Sequence, residues 1–171
     1  MANNLEIAVE LVVPPDYETA GAVVVGAYRQ LLGKKLDDGY AAHLGDVAGR
    51  APTSQVYVAR TGNEIVGSVT YVNDLASPMA EGLQPGEVEI RMLAVRPDYQ
   101  GRGLGRILVE TCVRLAEQDG ADALFLHSTQ DMDAAHRLYQ ALGFARLPGR
   151  DWQVSPDVLL MAFRKPLTKA L

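Results

Sequence analysis

Val88-Glu89-Ile90-Arg91-Met92-Leu93-Ala94-Val95 runs, after a short Arg96-Pro97-Asp98-Tyr99 link, into Gln100-Gly101-Arg102-Gly103-Leu104-Gly105-Arg106. The first segment reads as a buried strand, and the second as a glycine-rich entry into a helix. Such an entry presents backbone N–H groups to a phosphate. Glycine lacks the Cβ that would hold a pyrophosphate off the amides, and the helix N-terminus adds positive potential. Arg96, Arg102 and Arg106 surround the loop. On an acidic chain, that local basic cluster points to an anionic ligand. The competing reading is a turn whose glycines only let strand and helix pack closely.

Two other phosphate loops fail on inspection. A dinucleotide fingerprint, Gly-x-Gly-x-x-Gly, needs glycine where Arg106 stands, and counted from Gly103 it fails at Leu108. No Gly-x-x-x-x-Gly-Lys-Ser/Thr occurs either.

The elements that position this segment follow from pattern. Leu5 to Val13 is β-rich and ends at Pro14-Pro15; Asp16 then caps a helix to about Leu32, with Glu18 near its positive end. Asp37 to Ala48 reads as a second helix. Gln55 to Arg60 and Glu64 to Val72 read as strands joined through Thr61-Gly62-Asn63, a hairpin signal. Asn73 to Gly86 is an irregular loop, and Glu87 to Val95 is the next strand. From about Gly103 to Gln118, Leu104, Ile107, Leu108, Thr111, Cys112 and Leu115 share one helical face. Ala123 to Ser128 is a short buried strand. Asp131 or Asp133 caps a helix whose Ala135, Leu138, Tyr139 and Leu142 form a stripe, with Gly143 just past its end. Two strands follow, from Phe144 onward and from Val158 to Arg164. The order predicts an α/β (α+β) fold with a mixed sheet and helices on both faces.

Bulk properties bound the function. At 171 residues, with no internal repeat or linker, residues 1–171 suit one domain. Sixteen basic residues against 21 acidic give a net charge of −5, which argues against a nucleic-acid partner. One cysteine cannot form an internal disulfide, and Met1 to Glu6 lack the features of a secretory leader. The longest apolar run, Ala20 to Ala27, is too short for a membrane helix. A cytoplasmic protein without a membrane partner is expected. His43, His127 and His136 share no ligand spacing, so no metal is expected. Cys112 reads as a small core residue. Trp152, Tyr28 and Tyr40 read as packing residues or as the border of an acceptor pocket.

Gln100-Gly101-Arg102-Gly103-Leu104-Gly105 resembles the Gln/Arg-x-x-Gly-x-Gly/Ala loop of the GNAT superfamily of acyl-CoA-dependent N-acetyltransferases. Glu89 to Val95 resembles the family's fourth strand. Ala135-His136-Arg137-Leu138-Tyr139-Gln140-Ala141-Leu142-Gly143-Phe144 is similar to its helix with Ala-x-x-x-Tyr ending in Gly-Phe. The resemblance covers roughly Gln55 to Phe144. It implies a mixed, mostly antiparallel sheet of about six to seven strands, acetyl-CoA as acyl donor and a primary amine as acceptor. It leaves a homodimer open, since dimers are common among similar proteins.

The resemblance also implies roles. Leu93, Ala94 and Val95 would hold the thioester and pantetheine through their backbone, and Gln100 to Arg106 the pyrophosphate. Tyr139 occupies the general-acid position; a phenol is largely protonated at neutral pH and can pass its proton to a departing thiolate. Glu89 lies where some members place a carboxylate base, whose pKa burial would raise toward a useful value. It also shares a strand face with Glu87 and Arg91, so a solvated or salt-bridged carboxylate is the alternative. His127 lies where other members carry a basic group, and its imidazole suits a proton relay. Many members have Asn seven residues before the tyrosine, where this chain has Met132. Two other readings stay open: a non-catalytic acyl-CoA-binding domain, and a nicotinamide dinucleotide module.

Overall fold

The computed structural model describes residues 5–169; residues 1–4 and 170–171, the outermost positions of the span read as one domain, lie outside the described residues. The strands are β1 (Ala8–Leu11), β2 (Gln55–Thr61), β3 (Glu64–Val72), β4 (Glu87–Val95), β5 (Ala123–Thr129), β6 (Ala145–Arg146), β7 (Trp152–Ser155) and β8 (Val158–Pro166). They form one eight-stranded sheet in the order β1-β2-β3-β4-β5-β8-β6, with β7 paired to β8 off that path. Every pairing is antiparallel except β4 with β5, which is parallel. The fold is therefore mixed and mostly antiparallel as expected, with eight strands in place of six to seven. The surplus is four-residue β7, too short to show a period, while the strand expected from Phe144 onward is two-residue β6.

Helices cover both faces. On one lie α1 (Tyr17–Leu32), α2 (Asp38–Gly45) and α3 (Val47–Arg50). Ala20, Val23 and Val47 pack there on Val56, Val58 and Ile65, and Val24 and Leu44 on Val72, Met92 and Ala94. On the other lie α4 (Leu104–Gln118) and α5 (Asp133–Ala141). Leu104, Leu108, Val109, Cys112 and Ala116 meet Val66, Val69, Tyr71, Val88, Ile90, Leu124 and Leu126, with Tyr139, Phe144 and Phe163 closing the cluster. Cys112 is fully buried, and burial pushes its thiol up to about 12, so it is a core residue and no nucleophile.

Several helix ends differ from the sequence expectation. Asp16 precedes α1 but makes no cap; its carboxylate pairs with Arg60 at 2.7 Å. The helix expected over Asp37 to Ala48 is two. Asp37 caps the first through the Tyr40 N–H at 2.7 Å, and Asp46 breaks the run and caps the second through the Gly49 N–H at 2.9 Å. Neither Asp131 nor Asp133 caps α5: Met132 holds that position without a side-chain bond, and Asp131 lies 3.9 Å from Lys35. The end of α5 is as expected. Gly143, at φ 91°, lets Phe144 N–H reach the Tyr139 carbonyl at 2.9 Å and its own N–H reach Gln140 at 3.1 Å. This double return closes the helix and seats Tyr139 in its last turn.

Candidate active site

The parallel β4–β5 ladder holds for only three residues, Glu87 to Ala123, Val88 to Leu124 and Glu89 to Phe125. Beyond Glu89 the two strands part. β4 keeps β3 on its other side, with Arg91 opposite Thr70 and Ala94 opposite Ser68, so Met92 and Leu93 together stand against Val69. This bulge puts Met92 at φ 53°, a conformation uncommon outside glycine. The bend re-aims Leu93, Ala94 and Val95, whose β5 side has no strand partner. Strain of this kind collects where a site is built.

Gly101 and Gly103 follow at φ 78° and 82°, and a Cβ at either would meet nothing within 4 Å. Their need is the left-handed turn, with open space in front of it. The first N–H of α4 with a backbone acceptor is that of Ile107, bonded to Gly103 at 3.1 Å. Among the described residues, the N–H groups of Gly101 to Arg106 meet no backbone acceptor, leaving a cluster of donors at a helix N-terminus. Gly105 instead faces α5, where a Cβ would lie 3.4 Å from the end of the Leu138 side chain. Leu104 is core. The Gln100 amide donates to Gln30 at 3.0 Å and to the Val95 carbonyl at 3.3 Å, tying the loop to α1 and the end of β4.

The arginines are less available than the sequence suggests. Arg96 forms a double bond pair with Asp98 at 3.0 and 2.6 Å, and Arg106 pairs with Glu110 at 2.9 Å. Arg102 lies over the Tyr99 ring at 4.9 Å. Attraction for an anion here comes mainly from the amides and Arg102.

Glu87, Glu89 and Arg91 do share a face, but it is buried. Glu87 accepts from Arg150 at 2.7 and 2.9 Å, from Arg164 at 3.0 Å and from the Gln84 N–H at 3.0 Å. Glu89 is 1% exposed, and both its oxygens face the Glu81 N–H at 3.0 and 2.9 Å. Burial, against the opposing pull of that amide and of Arg91, pushes its carboxyl up to about 7. The Glu81 carboxylate lies between Arg91, at 3.2 Å, and His127 Nδ1, at 3.6 Å. Burial works against its ionisation, yet His127 and Arg91 outweigh it and hold its pKa below the usual value.

His127 Nε2 lies 3.0 Å from the Arg150 carbonyl, which can only accept. Nδ1 meanwhile faces the Glu81 carboxylate. The imidazolium suits both neighbours, with Nδ1 at ion-pair distance from Glu81 and not hydrogen-bonded to it, and although burial opposes it, Glu81 and the Arg150 carbonyl raise the His127 pKa.

Tyr139 stands apart from these groups, 6% exposed, with its ring against Phe144 and Phe163 at centroid distances of 5.7 and 5.8 Å. Burial raises its pKa above the usual phenol value and keeps it protonated. Met132, where Asn is common in similar proteins, accepts from the Ser128 hydroxyl at 3.3 Å.

A cleft of about 390 Å³ opens beside His127, lined by Gly82, Phe125, Arg150 and Trp152. Trp152 is half exposed on its wall, whereas Tyr28 and Tyr40 meet edge to face at 6.3 Å elsewhere, on α1 and α2. Sequence reasoning missed Glu81 and Arg150. Both sit in glycine- and proline-containing loops, where no periodicity marks a functional charge. Among the described residues no cluster of three or more His, Cys, Asp or Glu is placed to hold a metal ion.

The family model described as acetyltransferase (GNAT) family matches residues 26–144, well over half of the chain. The chain belongs to the GNAT acetyltransferase family. It is 32% identical over 97 residues to the N-alpha-acetyltransferase RimI of Mycobacterium tuberculosis, covering 57% of this chain and 56% of that protein. It is 36% identical over 66 residues to a mycothiol acetyltransferase of Paenarthrobacter aurescens, covering 39% of this chain and 20% of that protein. The chain thus spans from a fifth to just over half of these relatives. The PaiA N-acetyltransferase of Thermoplasma acidophilum, solved in complex with coenzyme A, superposes with a TM-score of 0.71 at 12% identity, covering 95% of this chain and 99% of that one.

Proposed function

We propose that the protein transfers an acetyl group from acetyl-CoA to a primary amine, by direct attack within a ternary complex, and that residues 1–171 act as one acyltransferase domain. The observation that carries this reading is the continuity of two unpartnered stretches of backbone. The freed side of β4 at Leu93 to Val95 leads, through Gln100, to the unpaired amides of Gly101 to Arg106. A ligand long enough to pair with a strand at one end and present a pyrophosphate at the other fits both.

Bound acetyl-CoA supplies an activated thioester, so no covalent enzyme intermediate is needed. The Leu93 to Val95 backbone polarises the carbonyl; losing one such donor typically costs about 3 kcal/mol of barrier. Glu89 takes the proton of the incoming ammonium through a water, while Arg91 and the His127 imidazolium hold the carboxylate of Glu81, whose N–H faces Glu89. A carboxyl with a pKa of about 7 is well matched to that role. Tyr139, kept protonated, returns a proton to the departing thiolate.

The test is release of CoA thiol from acetyl-CoA across a panel of primary amines. Release that requires an added amine supports the reading. Tight CoA binding with no release for any amine would make the chain a non-catalytic acyl-CoA-binding domain. Stabilisation by NAD and not by CoA would replace both with a dinucleotide module.

A further inference from the structure

Arg50, the last residue of α3, is 3% exposed and makes one side-chain hydrogen bond, from Nη1 to the His43 carbonyl at 3.2 Å. Its Nε and Nη2 are buried with no partner among the described residues. Those two donors form one straight edge of the guanidinium, spaced to receive both oxygens of a single carboxylate. Buried donors of a guanidinium left without an acceptor are costly, so Arg50 is poised for an acceptor that the chain does not supply. Asp46 is the nearby acid and its charge favours the guanidinium, but its Oδ1 is taken by the Gly49 N–H and it makes no hydrogen bond to Arg50.

The surroundings share this bias. Arg50 and Arg91 are close enough to repel each other, and Arg91 pairs with Glu81 while Arg50 forms no ion pair among the described residues. Thr70, directly across the β3–β4 ladder from Arg91, also buries a hydroxyl without a partner. The Tyr28 phenol lies within electrostatic reach of Arg50, Arg91 and Tyr139. Tyr28, Tyr40 and His43 form an aromatic wall there, with ring centroids 6.3 and 6.4 Å apart along the series.

We propose that the acceptor carries a carboxylate as well as its amine, and that the free Nε/Nη2 edge of Arg50 binds that carboxylate and sets specificity. A planar edge of two N–H donors matches the two oxygens of a carboxylate. This inference rests on the acetyltransferase reading above.

The test is a spacing series: glycine, β-alanine, 4-aminobutyrate and 6-aminohexanoate, each compared with the alkylamine lacking the carboxylate, and with 2-aminoethylphosphonate as a phosphate-like arm. Acetyl-CoA affinity is measured by calorimetry in parallel. At least one amino acid should exceed its alkylamine about 100-fold in kcat/KM, the scale of leaving a buried donor unsatisfied. Arg50→Lys, which keeps the charge and loses the fork, should abolish most of that preference through KM while acetyl-CoA still binds. Thr70→Val should weaken it in the same direction. The proposal is overturned if acetyl-CoA binds but no carboxylated amine is preferred or acetylated, if the phosphonate is preferred, or if the preference survives Arg50→Lys. Should Arg50→Lys fail to bind acetyl-CoA, the wild-type series and Thr70→Val decide. Failure of the wild type to bind acetyl-CoA strikes the acetyltransferase reading itself.

Discussion

Burial acts on Glu81, Glu87 and Glu89 alike, yet their partners send them different ways. Glu81 and Glu87 are surrounded by cations and stay ionised, whereas Glu89 has chiefly one N–H and is pushed up to about 7. Because the folded protein holds the Glu89 proton more tightly than the unfolded chain, Glu89's stabilising contribution is full below pH values near 4.5 and is lost as pH rises through about 7. Glu89→Gln should therefore stabilise the fold at about pH 8, by up to about 3 kcal/mol read as a higher melting temperature, and change it little at about pH 4. As the proposed base, Glu89 also predicts a kcat that rises through this range, and about 100-fold loss in Glu89→Gln, read from initial rates against pH. Tyr139→Phe should lower kcat about 100-fold with acetyl-CoA affinity within about twofold by calorimetry; equal loss of both would remove it as the acid. The periods of β4 and α5 placed Glu89 and Tyr139 on their elements, whereas the roles proposed for them come from the family resemblance. Glu81 was not legible, since its position depends on how residues 73–86 fold back over β4, a long-range contact that local sequence does not encode.

At the scale of elements, the legible parts are those whose local chemistry and packing agree. The α4 stripe, the α5 stripe and the Gly143 end are visible because apolar spacing and a φ requirement coincide. The break between α2 and α3 was hidden because Asp46 looks like one more polar residue on a helical face until its side chain turns back to Gly49. In the loop before α4, Gly103→Ala forces a Cβ into the left-handed region at a cost of about 1 kcal/mol. The expected result is at least tenfold weaker acetyl-CoA binding by calorimetry with only a small fall in melting temperature. The Glu87–Arg150–Arg164 cluster joins β4, the turn before β7, and β8, so it makes the opposite prediction. Glu87→Gln leaves two guanidinium groups short of a counter-ion and should cost about 3 to 5 kcal/mol in urea unfolding, with loss of the cleft that Arg150 lines.

For the whole molecule, the sequence made the fold class readable, and the proposed donor side rests on a glycine-rich loop and a tyrosine helix, which are local motifs. The proposed acceptor side draws on α1, α3, residues 73–86 and β7, which lie far apart in the sequence. Acetyl-CoA at about 100 times its dissociation constant should stabilise the fold by about 2.7 kcal/mol, measurable as a shift in thermal unfolding. The parting of β4 from β5 adds a hazard to that gain. It gives the ligand-free protein a sheet edge in its interior, where Ile90 to Val95 offer main-chain groups to any extended segment that reaches them. Strand addition there by another copy is a route to aggregation that a filled donor site would cap, so CoA should slow turbidity on heating by more than its effect on the melting temperature accounts for.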